Sequence, residues 1–293
     1  MSSNLITKKT QIKNSEGNIT VKLIKRSFKN VLIVSFTILS ACGVVQATEV
    51  KVEVSNLFAD GGLALTPVWT GFHDGTFDTF DANSVASSAL QALAEGGDMS
   101  GIRQDFANES SGVDGAVFGP EGFPGAPVIE PGEVTSAFFD INNIDSGYFS
   151  FLSMLIPTND AFIGNDMPDQ YSLFDMLGNF VGLDILVLGT QVWDSGTELN
   201  RGYGSPFLIG ADAEDRQDEN GTVSQHQGLQ VLAGGFDIIG GETPAGYSID
   251  ELAADFTAAG FQVARIRISQ VSAPTIGIFV SLITGMILLR RKV

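Results

Sequence analysis

The sequence predicts an all-β fold: an antiparallel β-sandwich with one or two short peripheral helices, flanked by an N-terminal signal peptide and a C-terminal hydrophobic helix. Three observations predict it. Val50-Lys51-Val52-Glu53-Val54-Ser55 alternates with period two, as a half-buried strand does. Tyr148 to Ile156 is an almost continuous apolar run, too short for a membrane span and rich in aromatic and branched residues, so it reads as a strand covered on both faces. Between Thr48 and Gln270 helical patterning is confined to two short stretches, and no internal repeat or linker divides the middle of the 293 residues. The chain therefore divides into a signal peptide (1–47), a sandwich domain (48–270) and a C-terminal sorting or transmembrane segment (271–293).

Taken in order, Lys22, Lys25, Arg26 and Lys29 form a basic region and Val31 to Leu39 an apolar one, with Val45-Gln46-Ala47 as a small-residue cleavage site, so export is expected. A second reading concerns the single cysteine: Leu39-Ser40-Ala41-Cys42 fits a bacterial lipoprotein box, in which the Cys42 thiol is acylated. A cut after Ala47 leaves no cysteine, and a fold that must rely on its core and any metal.

Gly61-Gly62 turns the first strand, and Leu63 to Trp69 is expected as its neighbour. In the loop from Gly71 to Asp78, the residues His73, Asp74, Asp78 and the nearby Asp81 lack the spacing of a helix-loop-helix calcium loop, and a solvated turn anchored by its phenylalanines is expected. Asn83 or Ser84 is expected to cap a helix running through Glu95, with Val85, Leu90 and Leu93 toward the sheet and Gly96-Gly97 as the stop. Gly112 to Gly132, with four prolines, reads as an irregular loop.

Three strands then end in carboxylates. Thr135 to Phe139 leads to Asp140; Tyr148 to Ile156 leads through the turn formers Pro157, Thr158 and Asn159 to Asp160; Leu183 to Leu188 leads through Gly189 to Val192-Trp193-Asp194. If these strand ends lie on one side, the carboxylates converge and repel unless a cation joins them. Further on, Ala211 to Gly221 reads as an acidic solvated loop. Ser248-Ile249-Asp250-Glu251 reads as a capping box opening a helix with Leu252 and Phe256 on one face. Phe261 to Ser269 reads as a closing strand, with Ala264, Ile266 and Ile268 inward and Arg265 and Arg267 outward.

In the tail, an apolar run from Thr275 to Leu289 precedes Arg290-Arg291-Lys292, the pattern of a membrane anchor. With Ser272-Ala273-Pro274 before it, the tail also resembles the PEP-CTERM-like sorting signals processed by exosortase-type enzymes in Gram-negative bacteria, Ser-Ala-Pro standing where Pro-Glu-Pro is usual.

MLIPTNDAFIGN followed by WDSGTELN, preceded by NLFADGGLALTPVWTGFHDGTFD, resembles the spondin amino-terminal domain shared by F-spondin and mindin, from about Glu49 to about Ser269. The resemblance implies an antiparallel β-sandwich with a divalent-cation site at one end, calcium as the ion, and metal ligands at Asp140, Asp160 and Asp194. Thr197 and Glu198 follow as further ligands or loop supports, and Gly196 permits a tight turn. The cysteines and thrombospondin-type repeats of animal members are missing, so their receptor partners do not carry over.

Charge narrows the function. Formal net charge is −18, and only six of the 16 Lys and Arg lie between Thr48 and Leu289, against 33 of the 34 acidic residues. Such a body repels phosphate, and no nucleic-acid partner is expected. Three classes remain: a calcium-dependent binding or adhesion module, a structural matrix protein with the metal as a staple, and a glycan-active enzyme using Asp160, Asp194 and Glu198. No nucleophile with an adjacent base is visible, and His73 and His226 read as surface loop residues, so the expectation is a binding module without catalysis. Expected partners are an extracellular glycan or surface protein, and the membrane through the C-terminal segment at least transiently. The expected place is the cell surface, outer membrane or exterior of a Gram-negative bacterium.

Overall fold

An apolar strand with no polar face has to be covered twice, and the strand from Tyr148 to Ile156 is. The computed structural model describes residues 12–13, 19–20, 47–120, 126–201, 204–211, 215–229 and 238–271. The expectations for Cys42, for Ser272, Ala273 and Pro274, and for the two apolar flanks lie outside the described residues. Among those described, no helix is long and apolar enough to cross a membrane.

The chain forms two units, Met1–Val44 and Val45–Val293. In the first, β1 (Ile12–Lys13) pairs antiparallel with β2 (Ile19–Thr20). The second is an antiparallel β-sandwich. Its strands are β3 (Thr48–Asn56), β4 (Ala64–Leu65), β5 (Val68–His73), β6 (Val113–Val117), β7 (Val134–Ile141), β8 (Tyr148–Ile156), β9 (Ala161–Gly164), β10 (Leu183–Leu188), β11 (Val192–Asp194), β12 (Ser224–Gln225) and β13 (Gln262–Gln270), with helices α1 (Ser88–Gly96) and α2 (Ser100–Glu109). One sheet has four strands in the order β10-β13-β3-β7; the other has seven, in the order β12-β11-β9-β8-β5-β6 with β4 beside β8.

The main core lies between the sheets. Val50, Val52 and Val54 of β3 and Ile266 and Ile268 of β13 meet Phe72, Phe149, Phe151 and Ile163 there. Each such side chain contributes about 1.5–3 kcal/mol by leaving water. The other face of the larger sheet is closed by the helices, where Trp69, Leu152 and Phe162 pack with Phe77, Leu90, Leu93, Ile102 and Phe106. Alternate residues of β8 thus serve different cores, which is why no polar period shows in its sequence.

Several expectations are corrected. Leu63 to Trp69 does not neighbour β3, whose partners are β13 and β7; the chain crosses to the other sheet, where β4 and β5 pair with β8. The buried Asn56 side chain holds that crossover by donating to the carbonyls of Leu63 and Ile129, both at 2.9 Å. Helix α1 starts later than expected: the Ser87 hydroxyl caps it through the Leu90 N–H, and Val85 stays outside and 77% exposed. Its end is as expected, with Gly97 left-handed at φ 70° and its N–H turned back to the helix carbonyls. Helix α2 and strand β6 occupy stretches with no expected element and an expected loop, respectively. Ser248 to Gly260 forms turns rather than a helix, and Leu252 is 81% exposed.

Several basic side chains of the sandwich are engaged with acids. Lys51 pairs with Glu53 at 2.6 Å, Arg103 with Asp114 at 2.9 Å, and Arg265 and Arg267 with Asp184 at 2.6 and 3.5 Å.

Candidate metal centre

Antiparallel pairing of β9 with β11 sets Ala161 opposite Asp194, and so brings Asp160 and Asp194 to the same end of the larger sheet. Asp140 does not join them. It faces solvent on β7, opposite Glu49 in the four-stranded sheet, and the turn after β7 leads directly into the start of β8. Asp160 follows the far end of the nine-residue β8, and a strand of that length spans roughly 25–30 Å. The expected three-way convergence is therefore corrected to a pair. Among the described residues no group of three His, Cys, Asp or Glu side chains is placed to hold a metal ion.

Asp160 is completely buried. Its Oδ2 accepts from the Ser195 hydroxyl at 2.7 Å, the Thr197 N–H at 3.0 Å and the Glu198 N–H at 3.1 Å. The segment Ser195–Glu198 is thus wrapped around one carboxylate oxygen, an anion nest filled from within the chain. Its Oδ1 is also buried and has no hydrogen-bond partner among the described residues. Burial, reinforced by the Asp194 charge and opposed by these donors, pushes the Asp160 carboxyl up to about 6.

Asp194 is half-buried, with Oδ1 accepting from the Gly196 N–H at 2.7 Å and Oδ2 from the Asn200 side-chain amide. Burial raises its pKa above the usual carboxylate range, against the pull of those two donors. Gly196 makes the turn possible: its φ is 69°, and a Cβ there would stand 2.7 Å from the backbone of Thr222. Thr197 supports the loop, its hydroxyl 2.6 Å from that of Ser195 and its carbonyl accepting from the Glu219 N–H at 2.7 Å.

Glu198 is buried too, at 2% exposed. One of its oxygens accepts from the Asn159 amide at 2.9 Å, and the other receives the Arg216 guanidinium through Nε at 2.9 Å and Nη2 at 2.7 Å. Arg216 Nη2 also donates to the Glu95 carbonyl at 3.1 Å, in the last turn of α1. The stretch expected as an acidic solvated loop is exposed at Asp215, Gln217, Asp218 and Asn220, and its described part is also stitched to the site: Leu199 and Glu219 donate backbone N–H groups to Gln217 and Thr197.

Both histidines are corrected from surface to interior, at 0% and 3% exposed for His73 and His226. In each ring Nδ1 accepts the N–H of the glycine two residues on, Gly75 or Gly228, so the proton sits on Nε2. That proton faces Ser150 Oγ at 3.0 Å for His73 and Asn200 Oδ1 at 3.3 Å for His226. His226 therefore orients the amide that holds Asp194. Trp193 packs against Phe80 with ring centroids 5.4 Å apart, a core role.

Of the groups missed from sequence, Arg216 alone left a trace, as the only basic residue between Ala211 and Gly221. Asn159, Ser195, Asn200 and His226 are neutral residues made polar partners by folding, and carry no spacing signal. For a hard cation, which accepts neutral as well as anionic oxygens, the suitable donors are Asp160 Oδ1, the Asp194 carboxylate and nearby hydroxyl and carbonyl oxygens. No protein-family model matches the chain, and no curated protein matches it.

Proposed function

We propose that this is an exported, non-catalytic binding module of the cell surface or extracellular matrix, of the spondin amino-terminal type that its motifs resemble. A divalent cation, calcium by the chemistry of the donors, sits at the end of the sandwich carrying Asp160 and Asp194. The observation that carries the reading is the Asp160 carboxylate: fully buried, one oxygen saturated by the 195–198 loop, the other without a partner among the described residues, and Asp194 beside it. Burying such a group is costly unless something compensates the free oxygen, and an oxygen-seeking cation does so. Bound there, the ion supplies the positive charge that orders the loops at this end, and those loops face an extracellular glycan or surface protein. Burial also supports the absence of catalysis, because a carboxylate enclosed by backbone N–H groups does not reach a glycosidic oxygen.

The test is calcium titration by calorimetry. Asp160→Asn and Asp194→Asn should each weaken binding ten- to a hundredfold, about 1.4–2.8 kcal/mol, while Asp140→Asn and Asp74→Asn leave it unchanged. Calcium at about 100 times its Kd should stabilise the unaltered protein by about 2.7 kcal/mol. Affinity unchanged in both site variants sinks the reading; turnover on a glycan that fails in the same variants with calcium binding intact would favour the enzyme class.

A further inference from the structure

Arg216 is one guanidinium set among acids. It donates twice to the buried Glu198 carboxylate, at 2.7 and 2.9 Å, and once to the Glu95 carbonyl, and it lies 3.5 Å from the Glu95 carboxylate. Glu198 follows directly on the loop that encloses Asp160, and its own backbone N–H is one of the Asp160 donors. The hydrogen bond to Glu198 and the charges of Glu198, Glu95 and Asp160 all hold the Arg216 proton more tightly, so the guanidinium lies within the field of the proposed cation site.

We infer that Arg216 is a resident counter-cation that competes electrostatically with the divalent ion, keeping this end of the sandwich folded when the ion is absent and lowering its affinity when it is present. The inference rests on the cation-binding reading above. In the ion-free protein a buried carboxylate beside two more needs positive charge, and Arg216 provides it. When a divalent ion arrives, the same guanidinium repels it and withholds Glu198, so the site is tuned toward a medium rich in the ion rather than toward trace scavenging. Arg216 also ties three pieces of chain together: the 195–198 loop through Glu198, its own segment, and the end of α1 through Glu95. Occupancy of the site is in this way coupled to the hold on that helix.

The experiment exploits sign. Arg216→Gln and Glu198→Gln break the same ion pair and the same tether, but change the site's charge in opposite directions. A merely structural role predicts that both weaken calcium binding. Competition predicts that Arg216→Gln tightens it and Glu198→Gln loosens it, each by roughly tenfold for a unit charge close to a divalent ion. Calorimetry with calcium alone gives the affinities, and thermal melts in chelator give ion-free stability, which should fall for both variants. Arg216→Lys, which keeps the charge without the two-pronged geometry, should stay within a fewfold of the unaltered affinity. If Arg216→Gln does not fold in chelator, it and the unaltered protein are both titrated in trimethylamine N-oxide, which favours the folded form, and a Kd no lower than that of the unaltered protein counts against the inference. Calcium binding by the unaltered protein with both variants weakened overturns the role of Arg216 alone. No calcium binding by any of these proteins overturns the site itself, and this inference with it.

Discussion

At the scale of single residues, two buried titrating groups give the protein opposed pH responses. His226 is held neutral by burial, with a folded pKa of about 4 against the ordinary 6.5. Its depressed value means that its contribution is present above pH 6.5 and is lost as pH falls toward about 4, where the unfolded chain binds the extra proton. Asp160 runs the other way: raised from 3.8 to about 6, it favours the fold fully below the lower value and loses that contribution as pH rises through the upper one. Compared with the unaltered protein in chelator, His226→Gln should therefore lose less stability as the pH falls from 6.5 to 4, and Asp160→Asn should lose more. Thermal melts across that range check it, and three parallel profiles would refute the assignment. Neither effect is visible in the sequence, where His226 has no partner motif and its glycine and asparagine contacts depend on a loop's path.

At the scale of elements, legibility followed the strength of the local period. Strands β3, β8 and β13 were readable because alternation, or its absence, is imposed by the packed faces they border. The stretch from Ser248 failed for a physical reason: Asp250 accepts from the N–H groups of Leu252 and Ala253 as an N-cap would, but Asp255 then takes the N–H of Thr257, a donor that a continuing helix would need, and the turn is not extended. The same contrast is measurable. Leu93, fully buried on the inner face of α1, should cost about 2–5 kcal/mol as Leu93→Ala, whereas Leu252→Ala should stay within about 0.5 kcal/mol, both by urea unfolding. Ser87→Ala should cost about 1 kcal/mol through the lost cap. The candidate site divides likewise. Asp160 and Asp194 were legible as carboxylates at strand ends, and they meet because Asp160 immediately precedes β9, which pairs with β11, the strand that Asp194 ends; Asp140 was misplaced because the end of β7 leads to the start of β8. Arg216 reaches Glu95 across 121 positions of chain, a contact that no local pattern encodes.

At the scale of the whole molecule, a body of 33 acids and six bases between Thr48 and Leu289 strains against its own charge. In chelator, raising sodium chloride from about 0.01 M to about 0.15 M shortens the screening length from roughly 30 Å to roughly 8 Å, so the melting temperature should climb. Potassium chloride should do the same, and a flat response would show that the charge is already balanced within the fold. The ion pairs carry a further consequence. Lys51, Arg103, Arg216, Arg265 and Arg267 are each committed to a carboxylate of the same chain, and Arg201 is engaged as well. Toward an acidic polysaccharide, or toward another copy of itself, the sandwich is a like-charged neighbour whose described basic side chains already have partners. On the proposed function, contact would then wait on ions lent by the surroundings, and the hardness of the water outside the cell, more than the amount of protein made, would decide when it takes hold.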